Sequence, residues 1–218
     1  MERVLGFVDG FNLYFGLKQA GYDTLLWLDV SRLVGNLCKP HQECMGVRYF
    51  TARLNGPGPK HERQKTLLEA YETLKDCSVH FGVYQTNSRT CSACGAPWYQ
   101  ANEKMTDVNI AVEMLSGAFN DEFDTALLIS ADSDLAPAVQ KTVELFKKRV
   151  VIAFPPKRFS TRLRDLASAY TYISRAQLAR SQLSPTITRQ DGFVLRCPAP
   201  WASKEEIGAA ADKDAGLV

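Results

Sequence analysis

The residues best able to do chemistry are four acids, three of them placed where short apolar runs stop. The run VLGFV halts at Asp9-Gly10-Phe11-Asn12, and TALLI halts at Ser130-Ala131-Asp132-Ser133-Asp134. The fourth acid, Asp107, opens DVNIAVEML, where Ile110, Ala111 and Met114 follow at helical spacing. That spacing puts Asp107 on the apolar, core-facing stripe of a helix, at its first turn. Ligands of open parallel sheets bind beyond the carboxyl ends of the strands, so Asp9 and Asp132 should share one rim. Helix capping explains one acid per turn but not Ser130, Asp132 and Asp134 together. A dipole partner at Asp107 would contribute at most about 1 kcal/mol. Carboxylates that converge repel one another, which raises their pKa unless a cation neutralises them. Hard oxygen donors with room for water suit Mg2+ or Mn2+. Such an ion polarises a phosphoryl oxygen and lowers the pKa of an attacking water.

These acids need a scaffold, and hydrophobic periodicity supplies one. Strands are expected at 4–8, 47–52, 79–84, 125–129, 150–154 and near 170–173. Helices are expected at 12–19, 29–38, 61–75, 107–119, 135–146 and near 161–167. Runs rich in Val, Leu and Ile alternating with amphipathic helices indicate an α/β fold around a mainly parallel sheet. Asn55-Gly-Pro-Gly-Pro59 is a turn, and Asn87–Asn102 reads as a polar, irregular stretch. The pattern weakens after about Arg180, which divides the chain into a domain over 1–180, with a Cys-bearing loop at 86–102, and an extension over 181–207 expected to pack on it. Gly208–Val218 is expected to be a loose tail.

The chain has 218 residues, 45% of them hydrophobic and 23% charged, an ordinary globular composition. Its net charge of +2 is a cancellation. Glu103 to Asp134 holds eight acids and one lysine, whereas Lys147 to Arg180 holds nine basic residues and one acid. Such segregation favours a polyanionic ligand near a metal site, and also describes two solvated faces of opposite sign. No apolar run approaches the ~20 residues of a membrane span. Asp9 interrupts any signal-peptide core, so the expectation is a soluble, cytoplasmic protein.

Three motifs, FVDGFNLY (Phe7–Tyr14), EKMTDVNIA (Glu103–Ala111) and LISADSDLAP (Leu128–Pro137), together resemble the NYN domain, a branch of the PIN-like nuclease superfamily. The resemblance spans roughly Val4 to Ile173. It implies a three-layer α/β/α PIN-like fold and divalent-metal-dependent hydrolysis of RNA. By matching position, Asp9, Asp107, Asp132 and Asp134 would be metal ligands (Mg2+ or Mn2+) or would position water, and Asn12 would complete the catalytic set. Ser130, grouped with the substrate-binding residues, would support the site, and Lys104, just before the helix that carries Asp107, would contact phosphate or balance the acids. Arg53 and Arg63 are candidate phosphate contacts, as are Arg158 and Arg162 after VVIAF. RNA is the expected partner through salt-dependent contacts.

Cys91-Ser-Ala-Cys94-Gly is half of a zinc site. None of Cys38, Cys44, Cys77, His41 or His80 has the spacing of a second half, so two reduced cysteines are preferred over Zn2+. Tyr14, Phe15, Trp98 and Tyr99 could stack bases, although core or loop contacts suit most of them better. Two alternatives to a ribonuclease stay open: a nonenzymatic RNA-binding or regulatory domain that keeps the acids, and a metal-dependent phosphatase of small phosphoesters.

Overall fold

A computed structural model describes residues 1–54 and 56–202, and within these the backbone alone at 85–87 and 98–103. The expected tail Gly208–Val218 lies outside the described residues. Seven strands form one sheet: β1 (Glu2–Asp9), β2 (Gln42–Ala52), β3 (Cys77–Thr90), β4 (Pro97–Lys104), β5 (Thr125–Ile129), β6 (Arg149–Phe154) and β7 (Ala169–Tyr172). Their order is β4-β3-β2-β1-β5-β6-β7, with six strands parallel and β4 antiparallel to β3. Helices cover both faces, as the sequence pattern predicts.

Alternation along the strands builds the two faces. Val4 and Val8 of β1, with Leu127 and Ile129 of β5, meet α1 (Gly10–Gln19), α2 (Val30–Leu37) and α3 (Pro59–Tyr71). Leu5 and Phe7, with Ala126 and Leu128, face α4 (Thr106–Phe119), α5 (Ala136–Glu144) and α6 (Thr161–Leu166). Because both faces of the central strands are buried, these segments read as unbroken apolar runs. The chain after Arg180 also packs on the first face: Leu195 and Trp201 join its core, and the Trp27 indole Nε1–H donates to the Ser184 carbonyl at 2.7 Å.

One expectation is corrected. The stretch 87–102 is not irregular but forms most of the β3–β4 hairpin, in register from Val83↔Lys104 to Thr90↔Pro97. A polar hairpin at a sheet edge lacks the apolar alternation by which strands are read from sequence. The segments α7 (Arg175–Arg180) and the small hairpin of β8 (Thr186–Thr188) and β9 (Val194–Arg196) also escaped the pattern. No helix among the described residues is long and apolar enough to cross a membrane.

Candidate functional site

Register and parity bring the first two site residues together. Val8 pairs with Ile129, so Asp9 and Ser130 follow side by side at the carboxyl ends of β1 and β5. Here the sheet changes direction of winding. The chain leaving β1 builds helices on one face, and the chain leaving β5 builds them on the other. Such a switch point opens a crevice between the diverging loops.

Asp9 is buried, with 3% of its surface exposed, and its carboxylate receives three hydrogen bonds. The Asn12 backbone N–H donates to Oδ1 at 2.9 Å, which caps α1. The Asn12 side-chain amide (2.9 Å) and the Ser130 hydroxyl (2.8 Å) donate to Oδ2. Burial nevertheless pushes the Asp9 carboxyl above its ordinary range; these donors oppose that shift, and the charge of nearby Asp132 adds to it. Gly10 is required beside it: a Cβ there would sit 2.7 Å from the Phe50 carbonyl oxygen, a backbone atom that cannot yield.

Ser130 is fully buried, and its Oγ also accepts the Asp132 backbone N–H at 3.0 Å. Its hydroxyl therefore links the Asp9 carboxylate to the backbone of the turn that carries Asp132. Asp132 is half-buried and its Oδ1 accepts the Asp134 N–H at 3.0 Å, capping the short 3-10 turn Ser133–Leu135. Capping thus fixes both Asp9 and Asp132 in place, so the structural and chemical roles coincide.

A cleft of about 350 Å³ lies over this point. Its walls are Asn12 and Gln19 from α1, Ala131, Asp132 and Ser133 after β5, and Lys157, Arg158 and Phe159 after β6. Of the expected residues, Asn12, Asp132 and Arg158 meet here, with Asp9 and Ser130 directly behind them. Lys157 and Phe159 were not foreseen; only their position after a strand end signals them. Lys157 holds a left-handed backbone with φ of +60°. Gly16 of α1 lets this loop approach, since a Cβ there would stand 2.8 Å from the Pro156 carbonyl oxygen.

The other candidates lie elsewhere. Asp134 is exposed and is not part of the cleft wall; Asp107 is half-buried on the first turn of α4. Among the described residues no three His, Cys, Asp or Glu side chains are close enough to share a cation, so the four acids do not form the expected converging cage. The reason is local: the carboxylates of Asp9 and Asp132 are each tied to the backbone of their own turn. Arg162 lines a separate depression between α5 and α6, with Gln140 and Asp165. Arg53 lies over the Phe81 ring at 4.3 Å, Arg63 is on α3, and Lys104 is exposed at the end of β4; none of them lines the cleft. Cys91 and Cys94 occupy the hairpin tip, where the Cys91 thiol accepts the Ala93 and Cys94 backbone N–H groups and its pKa is lowered. No third ligand joins them among the described residues. Tyr14 meets Phe15 edge-on at 5.3 Å, and the side chains of Trp98 and Tyr99 lie outside the described ones.

The donor set suits a hard cation. Asp9 and Asp132 are two mutually repelling carboxylates without an ion-pair partner among the described residues, and Mg2+ is commonly held by one or two carboxylates together with water and substrate phosphates. Fold and site together define an α/β protein with a cleft at the sheet's switch point, between acidic and basic walls. The chain belongs to the NYN domain family, a PIN-like nuclease superfamily domain; the family's sequence model matches residues 3–174. It is 25% identical to the 6-hydroxy-3-succinoylpyridine 3-monooxygenase HspA of Pseudomonas putida, over 92% of this chain and 76% of that protein. It is 37% identical to an uncharacterized protein of Methanocaldococcus jannaschii over 46% of this chain and 40% of that protein. In fold it is similar to a protein of unknown function from Vibrio parahaemolyticus, with a TM-score of 0.54 at 20% identity, covering 84% of this chain and 96% of that one.

Proposed function

We propose that this protein is a divalent-metal-dependent ribonuclease that hydrolyses RNA phosphodiester bonds in the cleft at the carboxyl ends of β1 and β5. The observation that carries the reading is a cleft with Asp132 on one wall, Asp9 buried directly behind it, and Lys157 and Arg158 on another wall. Asp132 and Asp9 would hold the cation, Mg2+ or Mn2+. When bound, the cation neutralises phosphoryl charge and lowers the pKa of an attacking water. Asn12 and Ser130 orient the Asp9 carboxylate, and Ser130 also sets the turn that presents Asp132. Arg158 lines the cleft and brings a guanidinium there to meet a phosphate oxygen. Lys157 adds charge on the same side.

The absence of a three-acid cluster among the described residues supports a second reading, a nonenzymatic RNA-binding domain. The reaction in the HspA name belongs to that protein, and 25% identity does not carry a substrate across. The experiment is RNA cleavage by purified protein with Mg2+, Mn2+ or chelator. Wild type should cut in either metal and not in chelator, and Asp132→Asn should lower the rate at least a hundredfold while still binding RNA. Metal-independent scission, or no scission in any metal, removes the proposed enzyme; RNA binding without scission supports the second reading.

A further inference from the structure

Three aromatic rings continue the cleft outward to the edge of the sheet. Phe159 is both a cleft wall and 46% exposed. Its ring is nearly parallel to that of Tyr172, at 6.3 Å and 25°, and Tyr172 meets Tyr170 edge-on at 6.0 Å. Phe154, fully buried, supports the group from beneath, 4.9 Å from Phe159 and 5.8 Å from Tyr172. The register Ile152↔Tyr170 and Phe154↔Tyr172 explains why both tyrosines stand on the same face of the edge strand β7. Tyr170 and Tyr172 remain 48% and 56% exposed. Arg164 lies 5.8 Å from the Phe159 ring centroid.

Contiguous exposed aromatics beside a polar cleft call for a ligand. Phosphate-binding cations alone would hold a nucleic acid without touching its bases, whereas rings in line with them add faces on which bases stack. We propose that Phe159, Tyr170 and Tyr172 form a stacking platform for the bases of single-stranded RNA whose backbone passes Lys157 and Arg158 in the cleft. The proposal rests on RNA being the ligand of that cleft and assigns the substrate class: single strands, because duplex bases present no free face. Continuity through Phe159 with the positive charge of Lys157 and Arg158 selects a polyanion with aromatic bases over an apolar protein segment.

The test measures affinity in chelator, by fluorescence anisotropy, for a single-stranded 12-nucleotide RNA, an RNA duplex and an abasic ribose-phosphate strand. Wild type should prefer the base-bearing single strand. Tyr170→Ala/Tyr172→Ala should weaken that binding on the order of tenfold or more, the effect of losing base–aromatic stacking. It should leave the abasic strand unaffected. Tyr170→Phe/Tyr172→Phe should bind within about twofold of wild type, since the stacking face is kept. If the alanine variant binds RNA as wild type does while Asp132→Asn abolishes cleavage, the platform is wrong and the ribonuclease stands. If binding depends on the rings but no metal supports cleavage, the enzyme reading fails and the platform stands. If wild type binds no single-stranded RNA, both fail. If the alanine variant changes oligomeric state with RNA affinity unchanged, the rings are a protein interface and the platform is overturned.

Discussion

Asp9→Asn should lessen the loss of stability between pH 5 and pH 8 in chelator and remove the protein's response to divalent cations. The folded protein raises the Asp9 pKa above the unfolded value of 3.8 because burial, aided by the charge of Asp132, outweighs the donors from Asn12 and Ser130. Relative to water, the fold therefore favours the neutral carboxyl. The sign follows: Asp9 contributes stability that is fully present below its unfolded pKa and lost as pH rises through its folded pKa. At pH 8 the ionised group is a burden that the amide lacks, whereas at every pH the amide nitrogen faces donors from Asn12 or Ser130, a constant cost of about 1–3 kcal/mol. The variant should therefore melt lower at pH 5, and its loss between pH 5 and pH 8 should be smaller by on the order of 1 kcal/mol. For a domain of this size that corresponds to roughly 2–4 °C per kcal/mol in Tm. A cation on the ionised pair acts oppositely: at a hundredfold excess over its Kd it stabilises wild type by about 2.7 kcal/mol. Thermal unfolding of both proteins at pH 5 and pH 8, with chelator and with Mg2+ or Mn2+, reads all of this. Wild type should gain more from cation at pH 8 than at pH 5, and the variant should lose less than wild type between pH 5 and pH 8 in chelator and ignore the metal. A variant that loses as much as wild type between the two pH values in chelator and still responds to cation would refute both the burden at Asp9 and its place at the metal.

Gly16→Ala should cost about 1–3 kcal/mol, because its Cβ would press on the Pro156 carbonyl oxygen and displace the Lys157–Arg158 loop. Gly35→Ala, with nothing within 4 Å of its Cβ, should instead stabilise by up to about 1 kcal/mol; denaturant unfolding compares the two. Ser130→Ala should destabilise by about 1–3 kcal/mol, since it leaves the buried Asp132 N–H without its acceptor and Asp9 without a donor. Its cleavage rate should fall with it, and a rate unchanged from wild type would remove Ser130 from the positioning of Asp9. At the opposite end of β1, the Arg3 guanidinium holds the Asp124 carboxyl down to about 2. That contribution is present above the unfolded pKa of 3.8 and lost as pH falls through about 2, so Arg3→Met should move acid unfolding, followed by circular dichroism, to higher pH.

Much of the scaffold is legible in the sequence because the central strands are buried on both faces. TALLI is expected at 125–129 and found there, and VLGFV lies within Glu2–Asp9. Strong periodicity likewise places α4 to within a residue of its expected start. The β3–β4 hairpin and the β8–β9 hairpin stayed hidden because their stability comes from pairing partners and docking, not from an alternating apolar pattern. Of the site, Asp9, Asp132 and Arg158 could be read from acids and bases at strand ends, and Asn12 and the supporting place of Ser130 from the family resemblance. The hydrogen bonds by which Ser130 does this, and its burial, are tertiary facts.

By itself, then, the sequence determined the α/β class and the strand ends at which acids collect, and three of its motifs carried the resemblance to the NYN family. Local composition and spacing are sufficient for the first two, because strand burial and capping act over a few residues. Only the tertiary structure decided which of the charged residues meet. Parallel register put Ser130 beside Asp9, and the winding switch between β1 and β5 opened the cleft. The contact of Gly16 with the Pro155–Pro156 turn brought Lys157, Arg158 and Phe159 to its wall, while Arg162, one turn further on, fell into a different depression. These outcomes depend on contacts between segments more than a hundred residues apart, which no local pattern encodes.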